Sequence, residues 1–307
     1  MVAPIATLDP SLGHEQSRSA IYRSGAGSTT GSIRSHHARS RRPAFFPYRG
    51  GKYHLAPRLV PLLPPHKIYV EVFGGAANIL LAKPPSRIEV YNDANGQLVN
   101  LFETIRNHPL LFLERCQNLL YSRQLYDAWK DQLVKNFEGA DVDNVEAAVR
   151  TAYTITSSFT GDPVKGWAFD RTGSGGGSNR WASIWDKIAY VSRRLRRVNI
   201  DHLDFRKCIE YWDTPATLFF LDPPYYQRNS PKFYLFSKQD HLDLASMLPT
   251  VQGKWMLTYD DTEEVRALYN KFNIRPISSS LSGQKVNLGR PRVRLEQLLI
   301  TNFSLNN

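Results

Sequence analysis

The segment between residues 67 and 105 constrains the fold of this 307-residue chain more than any other. Residues 67–73 are mostly apolar and lead directly into Gly74 and Gly75, which predicts a buried strand followed by a tight turn. A short helix, a second strand and a longer helix are predicted next, at 79–82, 87–91 and 98–105. Strand, glycine turn, helix and strand in this order begin a doubly wound α/β fold, which binds ligands at the carboxyl ends of its parallel strands.

The strand pattern returns in the last third of the chain. Residues 217–221 are apolar without interruption, as in a central parallel strand. Residues 254–259 and 295–301 predict two more strands. The same sheet can therefore extend across both parts of the chain.

The intervening residues 109–197 have a different pattern. They look mainly helical, but they surround a polar segment, residues 161–180, that is rich in glycine and lacks periodicity. A run that long inside a compact domain is usually functional or disordered. We therefore predict an α/β fold in which residues 43–108 and 198–307 form a Rossmann-like sheet and residues 109–197 form an inserted, mainly helical domain.

Residues 1–42 differ from the rest of the chain in composition. They are rich in Gly, Ser and Arg, which predicts a disordered basic tail, although a dispensable leader is an equally good interpretation. The whole chain has 39 Lys and Arg against 28 Asp and Glu, a net charge of +11. Such a surplus favours polyanionic partners such as nucleic acid, although a protein can be basic without one.

Cys116 and Cys208 are the only cysteines, and neither belongs to a CxxC pair. We therefore expect neither a structural zinc site nor a disulfide framework, and the histidines show no metal-binding spacing. The absence of a disulfide framework is typical of the reducing cytoplasm. No apolar run approaches the roughly 20 residues of a membrane span, so we expect no association with a membrane. Together with the cysteine and histidine patterns, this predicts a cytoplasmic protein without a metal.

The tetrapeptide Asp222-Pro-Pro-Tyr225 directly follows the strand at 217–221. Pro223 and Pro224 stiffen the backbone, so that a carboxylate and a carbonyl can point at the same place. Two such acceptors suit an aromatic amine, whose delocalised lone pair becomes more nucleophilic when both amine protons are hydrogen-bonded. Tyr225 could stack on the base that carries this amine, a contact worth about 1–3 kcal/mol. The alternative is an Asp-Pro turn with Tyr225 in the core.

Glycines also follow the first strand, in Glu71-Val-Phe-Gly-Gly-Ala-Ala77. They would let the backbone approach a ligand at the start of a helix, although they do not form the GxGxxG fingerprint of dinucleotide-binding folds. Asp93 ends the second strand 18 residues after Gly75, close to the usual position of a ribose-binding acid. Two alternatives stay open: a tight turn for the glycines and a helix N-cap for Asp93.

A second pair of glycines precedes Lys52, in Pro47-Tyr-Arg-Gly-Gly-Lys-Tyr53. Paired glycines expose backbone amides, and Lys52 can pair with a carboxylate. Alone, the motif would say little, because Gly-Gly-Lys occurs in many loops.

Four motifs, in this order, resemble the Dam-like class of DNA adenine N-6 methyltransferases. They are Phe46-Pro-Tyr-Arg-Gly-Gly-Lys52, Glu71-Val-Phe-Gly-Gly-Ala76, Tyr91-Asn-Asp93 and Asp222-Pro-Pro-Tyr225. Segments at 203–205, 253–260 and 296–302 are similar to the same class, and the likeness extends from about Phe45 to Phe303. The joint occurrence of these motifs in order is highly specific.

The resemblance implies a Rossmann-like methyltransferase sheet, an inserted target-recognition domain, the cofactor S-adenosylmethionine, and an adenine flipped out of double-stranded DNA as substrate. The cofactor contacts that it implies come from Tyr48, Gly50, Gly51, Lys52, Phe73, Gly75, Asp93, Asp204, Phe205 and Asp222. The implied catalytic residues are Asp222, Pro223, Pro224 and Tyr225. We expect a monomer, and a cognate restriction endonuclease is compatible with this interpretation.

Three positions depart from the family pattern. Val72 stands where proline is usual, and Tyr48 where tryptophan is frequent. Ala77 stands where a second glycine is common, and its methyl group could crowd the cofactor.

Basic residues of the insert are candidates for contacting DNA. Arg171 and Arg180 flank the glycine-rich segment together with Trp167 and Phe169, as in a loop or hairpin that enters a groove. A basic helical run follows, with the candidates Lys187, Arg193, Arg194 and Arg197. This run could clamp phosphates, and a solvated helix face is the alternative.

Other functions compete with adenine methylation. The N-4 amine of cytosine poses the same chemical problem, although Asp rather than Ser at the first motif position favours adenine. A catalytically silent DNA-binding protein of the same fold is a second alternative, against which Asp222 and Lys52 argue. A dinucleotide-dependent dehydrogenase fits poorly, because the glycine pattern differs and the Asp-Pro-Pro-Tyr motif would have no role.

Overall fold

The computed structural model describes residues 44–135, 142–169, 176–225, 236–280 and 294–305. Seven strands in these residues form one mixed sheet. They are β1 (Ile68–Glu71), β2 (Ile88–Asn92), β3 (Val198–Asp201), β4 (Thr217–Leu221), β5 (Lys254–Asp260), β6 (Asn273–Ser280) and β7 (Arg294–Thr301). The order across the sheet is β3-β2-β1-β4-β5-β7-β6; β1 to β5 are parallel, and β7 runs antiparallel to both of its neighbours. This is the Rossmann-like sheet expected from the sequence.

Helices connect the strands and cover the sheet. They are α1 (Ala56–Leu59), α2 (Asn78–Ala82), α3 (Gly96–Asn107), α4 (Pro109–Gln117), α5 (Arg123–Val134), α6 (Asn144–Ser157), α7 (Gly177–Leu195), α8 (Phe205–Trp212), α9 (Lys238–Met247) and α10 (Glu263–Leu268). Where the chain is described, no helix is long and apolar enough to cross a membrane. The predicted tail, residues 1–42, lies outside the described residues.

The central strand β4 is buried on both faces, as its sequence predicts. Because side chains alternate along a strand, Leu218 and Phe220 pack into the hydrophobic cluster on one face, and Phe219 and Leu221 into the cluster on the other. The sheet therefore separates two cores. One contains the helices between β2 and β3, and the other contains residues of α8, α9 and α10.

The strand order reverses between β1 and β4. The chain leaves β1 for β2 and β3 on one side and returns through β4 on the other, with Glu71 in register with Phe220. In open α/β sheets, ligands bind in the crevice beyond the carboxyl ends of the strands at such a switch point. The glycine turn follows β1 and the Asp-Pro-Pro-Tyr motif follows β4, so both lie at this crevice.

Two edge strands were absent from the sequence prediction. The strand β3 is only four residues long and only its first residue is fully buried, and β6 contains Pro276 and a run of serines. Edge strands tolerate proline and need no apolar alternation, because one side of each has no strand partner. The pattern that identified the central strands is therefore missing from both.

Helices α4 to α7 occupy the predicted insert. Their buried residues belong to the same hydrophobic cluster as α2 and α3, so the boundaries at 109 and 197 stay a prediction. The polar segment is shorter than predicted, because α7 already begins at Gly177. Residues 170–175, including Arg171, lie outside the described residues.

Candidate active site

A cavity of about 600 Å³ lies at the crevice between β1 and β4. This volume is in the range of small-molecule and cofactor sites. All predicted cofactor-binding and catalytic residues line it: Tyr48, Gly50, Gly51, Lys52, Phe73, Gly75, Asp93, Asp204, Phe205, Asp222, Pro223, Pro224 and Tyr225. The structure thus brings together five segments that are separated in the sequence, while the role of each residue stays a prediction.

The carboxylate of Asp222 is fixed by two donors. Lys52 Nζ lies 2.6 Å from Oδ1 and 2.7 Å from Oδ2, and the hydroxyl of Thr258 on β5 donates to Oδ1 at 2.8 Å. Lys52 Nζ also donates to the carbonyl of Gly50 at 2.9 Å. The Lys52 side chain is 4% exposed and that of Asp222 is 16% exposed, so the pair is shielded but reachable from the cavity.

Tyr225 is held in place from three directions. Its hydroxyl donates to Gln297 Oε1 on β7 at 3.0 Å, and its ring stacks on Tyr259 with 5.8 Å between centroids. Lys52 Nζ lies 5.0 Å from the ring centroid. Tyr225 is nearly buried and belongs to the hydrophobic cluster that contains Tyr259, yet it also lines the cavity, so its contact with a base stays a prediction.

Asp93 organises the glycine turn that follows β1. Its Oδ2 accepts the backbone N–H of Gly75 at 2.7 Å and its Oδ1 that of Asn95 at 2.8 Å. Burial raises the pKa of Asp93 to about 6. The N-cap of α3 is Asn95, whose side chain accepts from Gln97, so the N-cap alternative for Asp93 was wrong.

Ala77 does not crowd the cavity. It is fully buried in the core, it does not line the cavity, and it precedes α2 in the left-handed conformation, with φ of 53°. A left-handed backbone costs a non-glycine residue about 1–2 kcal/mol. The expected crowding was therefore wrong, and the substitution instead affects the backbone of the turn.

The ring of Tyr91 leaves no room for a side chain at position 74, which is occupied by Gly74. A Cβ atom at Gly74 would lie 2.2 Å from a ring carbon of Tyr91, which is itself completely buried. We expect Gly74→Ala to lower the free energy of unfolding by about 1–3 kcal/mol, because the buried ring cannot move away. Chemical denaturation of Gly74→Ala in the wild type and in a Tyr91→Leu background provides the measurement. An equal cost in both backgrounds would contradict the steric explanation.

Glu71, at the end of β1, begins the glycine motif, but the sequence analysis gave it no role of its own. Its Oε2 accepts the hydroxyl of Tyr69 at 3.0 Å and the backbone N–H of Leu80 at 2.7 Å, and the residue lines the cavity. Burial raises the pKa of Glu71 to about 8. Two signals in the sequence could have identified Glu71: an acidic residue inside an apolar strand, and its place at the start of the glycine motif.

The raised pKa of Glu71 predicts a pH dependence of stability. Because the folded-state pKa of about 8 exceeds the ordinary value of 4.5, the stabilising contribution is complete below pH 4.5 and is lost as the pH rises through 8. We expect the free energy of unfolding of the wild type to fall relative to that of Glu71→Gln over this range. Denaturant titrations of both proteins at several pH values measure the difference, and a constant difference would contradict the assignment.

Three phenylalanines form an apolar wall of the cavity. Phe73 and Phe205 have ring centroids 5.7 Å apart, and Phe236 packs against both, at 5.6 and 5.5 Å. Asp204 caps α8 beside them and pairs with Arg206. Phe236 was missed because the sequence analysis assigned no role to the aromatic run at residues 233–236.

The structure corrects one of the predicted DNA contacts. The side chain of Arg194 is only 7% exposed, and its guanidinium donates to both oxygens of Glu89 and to the carbonyl of Leu80. A guanidinium that is buried in this way cannot clamp a phosphate, so the prediction for Arg194 was wrong. The sequence could not show that this position of the basic run faces the core.

The other DNA candidates differ in accessibility. Arg193 and Arg197 are exposed. Lys187 is half-buried, and its Nζ donates to Ser183 and to the carbonyl of Phe45, whereas Arg180 is partly exposed and donates to the carbonyl of Ser158. Contacts from these residues stay predictions. Among the residues that the structure describes, no three His, Cys, Asp or Glu side chains are grouped as a metal site requires.

A Rossmann-like sheet with Asp-Pro-Pro-Tyr and a glycine turn at one cavity defines a methyltransferase class, and comparison with known proteins specifies it. Residues 48–280 match the D12 class N6 adenine-specific DNA methyltransferase family, and the chain belongs to this family. It is also 24% identical over 283 residues to the Type II methyltransferase M1.LlaDCHI of Lactococcus lactis subsp. cremoris. The aligned region covers 84% of this chain and 95% of that protein.

Membership in this family decides between the functions left open by the sequence. The protein is an adenine-specific DNA methyltransferase, which implies a DNA substrate and a methyl donor. The cytosine, dehydrogenase and catalytically silent alternatives are thereby set aside.

Proposed function

We propose that this enzyme transfers the methyl group of S-adenosylmethionine directly to the exocyclic amine of an adenine that is flipped out of duplex DNA. The observation that carries the proposal is the position of Asp222. Lys52 and Thr258 fix its carboxylate at the edge of a cavity whose size suits a nucleoside cofactor.

The residues around the cavity fit S-adenosylmethionine. The rings of Phe73, Phe205 and Phe236 offer an apolar surface to its adenine, and the carboxylate of Asp93 can accept its ribose hydroxyls. Each oxygen of Asp93 accepts one backbone N–H, and a carboxylate oxygen can accept a second hydrogen bond. When bound, the cofactor supplies an electrophilic methyl group.

Lys52 would act through Asp222 as well as through the cofactor. A contact between Lys52 and the cofactor carboxylate is implied by the family resemblance and stays a prediction. In the structure, the ammonium donates to Asp222 and to the carbonyl of Gly50 instead. We propose that this ion pair orients the carboxylate before the base arrives, since a preorganised group needs no rearrangement during the reaction.

Asp222 and the carbonyl of Pro223 would accept the two amine protons of the flipped adenine. These hydrogen bonds shift the amine lone pair away from the ring and toward the methyl group. Transfer would form a C–N bond at the adenine nitrogen while the methyl–sulfur bond of the donor breaks, so that the donor would leave as S-adenosylhomocysteine. The surplus proton on nitrogen would pass to the neighbouring carboxylate of Asp222. Tyr225, held by Gln297, would stack on the base and so repay part of the energy of flipping.

An aromatic ladder on the insert supports its role as the target-recognition domain, at about residues 109–197. Trp167 stacks on Tyr121 at 5.1 Å and on Phe169 at 6.0 Å, and the guanidinium of Arg123 lies 4.9 Å from the ring of Trp167. Arg123 is exposed, and Phe169 is 52% exposed. Exposed aromatic rings and arginines of this kind bind nucleic-acid bases and backbone, so we propose that the ladder contacts DNA.

The cellular role follows by analogy with the relative. That protein is named a Type II methyltransferase, and we propose that this chain likewise modifies DNA as a cytoplasmic monomer within a restriction-modification system. Modified DNA should then resist an endonuclease that cuts the same site, and gel filtration should give one protomer per particle.

Transfer of labelled methyl from S-adenosylmethionine to unmethylated duplex DNA tests the proposed function. Nucleoside analysis should find the label on N6-methyladenine, and the same duplex already methylated by the enzyme should accept none. Modification-sensitive sequencing of the product then gives the recognition site. Label on cytosine, or equal labelling of the methylated duplex, would overturn the proposal.

A further inference from the structure

A loop of the insert touches the backbone of the Gly-Gly-Lys loop. Gly161 has φ of +71°, and a Cβ atom there would lie 2.3 Å from the carbonyl oxygen of Pro47 and 2.7 Å from the nitrogen of Tyr48. Only glycine permits so close an approach between two backbones. The insert therefore meets the cavity through a tight contact.

An ion pair joins the same two loops. Arg49 Nη1 donates to Asp162 Oδ2 at 2.8 Å, where Asp162 is 1% exposed and Arg49 is 36% exposed. Arg49 lies directly before Gly50, Gly51 and Lys52, and Lys52 holds Asp222. A displacement of Asp162 would therefore act on the residue that orients the reacting carboxylate.

The Gly-Gly-Lys loop also reaches the cofactor side of the cavity. A Cβ atom at Gly75 would lie 3.0 Å from the ring of Tyr48, so Tyr48 packs directly on the glycine turn that Asp93 organises. One short loop thus contacts the insert through Arg49, the glycine turn through Tyr48 and the catalytic motif through Lys52.

On its other side, the insert loop is continuous with the aromatic ladder. Ser158 forms a β-bridge with Trp167, and the backbone N–H of Phe159 donates to the carbonyl of Gly166 at 2.8 Å. The next residue, Thr160, has a left-handed backbone with φ of 59°, a conformation that is strained for a β-branched residue. Contacts made at the ladder would therefore reach Asp162 through a few residues.

We propose that the Arg49–Asp162 ion pair is a positioning contact that couples DNA engagement by the insert to the loop that shapes the cofactor site and holds Asp222. The inference rests on the proposed function, because it takes the cavity as the cofactor site and the ladder as a DNA contact. Coupling between two sites is reciprocal. DNA should therefore raise the affinity for the cofactor, and the cofactor should raise the affinity for DNA by the same factor.

The test measures the affinity of S-adenosylhomocysteine, which cannot donate a methyl group, with and without a duplex that the transfer assay has identified as substrate. Allosteric couplings are typically about 5- to 150-fold, so the wild type should bind at least about fivefold more tightly when DNA is present. Asp162→Asn should bring this ratio close to one. Because the ratio is taken within each variant, it separates the coupling from any change that Asp162→Asn makes to the affinity without DNA.

Asp143→Asn is the matched control. It removes the charge of another ion pair in the insert, Arg115–Asp143, without touching the loop at Gly161. The ratio of S-adenosylhomocysteine affinities with and without DNA should be the same in Asp143→Asn as in the wild type. An equal loss of this ratio in Asp143→Asn and Asp162→Asn would overturn the inference. If Asp162→Asn does not fold, Arg49→Gln, which changes the more exposed partner of the ion pair, takes its place. If both single variants fold, the double variant should lose no more coupling than either of them.

The outcomes separate the inference from the function on which it rests. A wild type that does not bind S-adenosylhomocysteine would overturn the proposed function. A wild type that binds cofactor and DNA independently, or an Asp162→Asn protein that keeps the full ratio, would overturn the coupling alone.

Discussion

Asp222→Asn is expected to reduce the rate of methyl transfer by roughly a hundred- to a thousandfold, which corresponds to about 2.7–4 kcal/mol of electrostatic stabilisation. Asparagine keeps the shape of the side chain and one acceptor oxygen. It lacks the charge that stabilises the positive charge developing on the amine. Its NH₂ group would also face Lys52 or Thr258, both of which donate to Asp222 in the structure.

Single-turnover transfer of labelled methyl to duplex DNA measures this loss separately from binding. The affinity for S-adenosylhomocysteine should fall much less than the rate. Asp261→Asn is the control, because it makes the same change in an ion pair, with Arg266, that lies outside the cavity. Near-normal transfer by Asp222→Asn would remove the proposed mechanism.

Asp93→Ala is expected to weaken cofactor binding about ten- to a hundredfold, the loss of a charge-assisted hydrogen bond worth roughly 1.5–3 kcal/mol. The structure adds a second reason, because the backbone N–H groups of Gly75 and Asn95 would lose their acceptor. Calorimetry with S-adenosylhomocysteine gives the affinity, and circular dichroism shows whether the variant is folded. An unchanged affinity in a folded variant would rule out the role of Asp93.

The pKa of Asp93 makes the same assignment testable in the wild type. With a pKa of about 6, the carboxylate becomes protonated as the pH falls through 6, and cofactor affinity should fall with it. Asp93→Asn is the control, because a neutral side chain cannot titrate. Its affinity should be lower than that of the wild type at pH 8 and should lack this pH dependence.

The centre of the sheet and the residues that directly follow its strands were predicted from the sequence for one physical reason, whereas Tyr48, Phe73, Asp204 and Phe205 were implied by the family resemblance alone. In parallel sheets, buried strands are apolar without interruption, and chemically active residues follow them at a common edge. Residues 217–221 and Asp222 show both features, and β4 has the predicted bounds. The strands β3 and β6 lie at the edges of the sheet, where neither feature is required.

Gln297, to which the sequence analysis gave no role, acts through a partner that is distant in sequence. Gln297 accepts a hydrogen bond from the hydroxyl of Tyr225, which lies 72 residues away in the chain. No local pattern of residues near Gln297 predicts that contact. Arg194 was misassigned for a related reason, since its partner Glu89 lies 105 residues away on β2. Local pattern identifies a basic helix, but only packing shows which of its arginines point inward.

Parallel pairing of β1 with β4 has a consequence for how the enzyme acquires activity during synthesis. Lys52 and Asp222 are 170 residues apart in the chain, and they meet only after β4 has been inserted beside β1. Contacts between such distant segments form slowly, because a long loop must close before they bring any stabilisation. The emerging chain therefore carries the glycine turns long before it carries Asp222, and Lys52 can hold Asp222 only after β4 has been inserted beside β1.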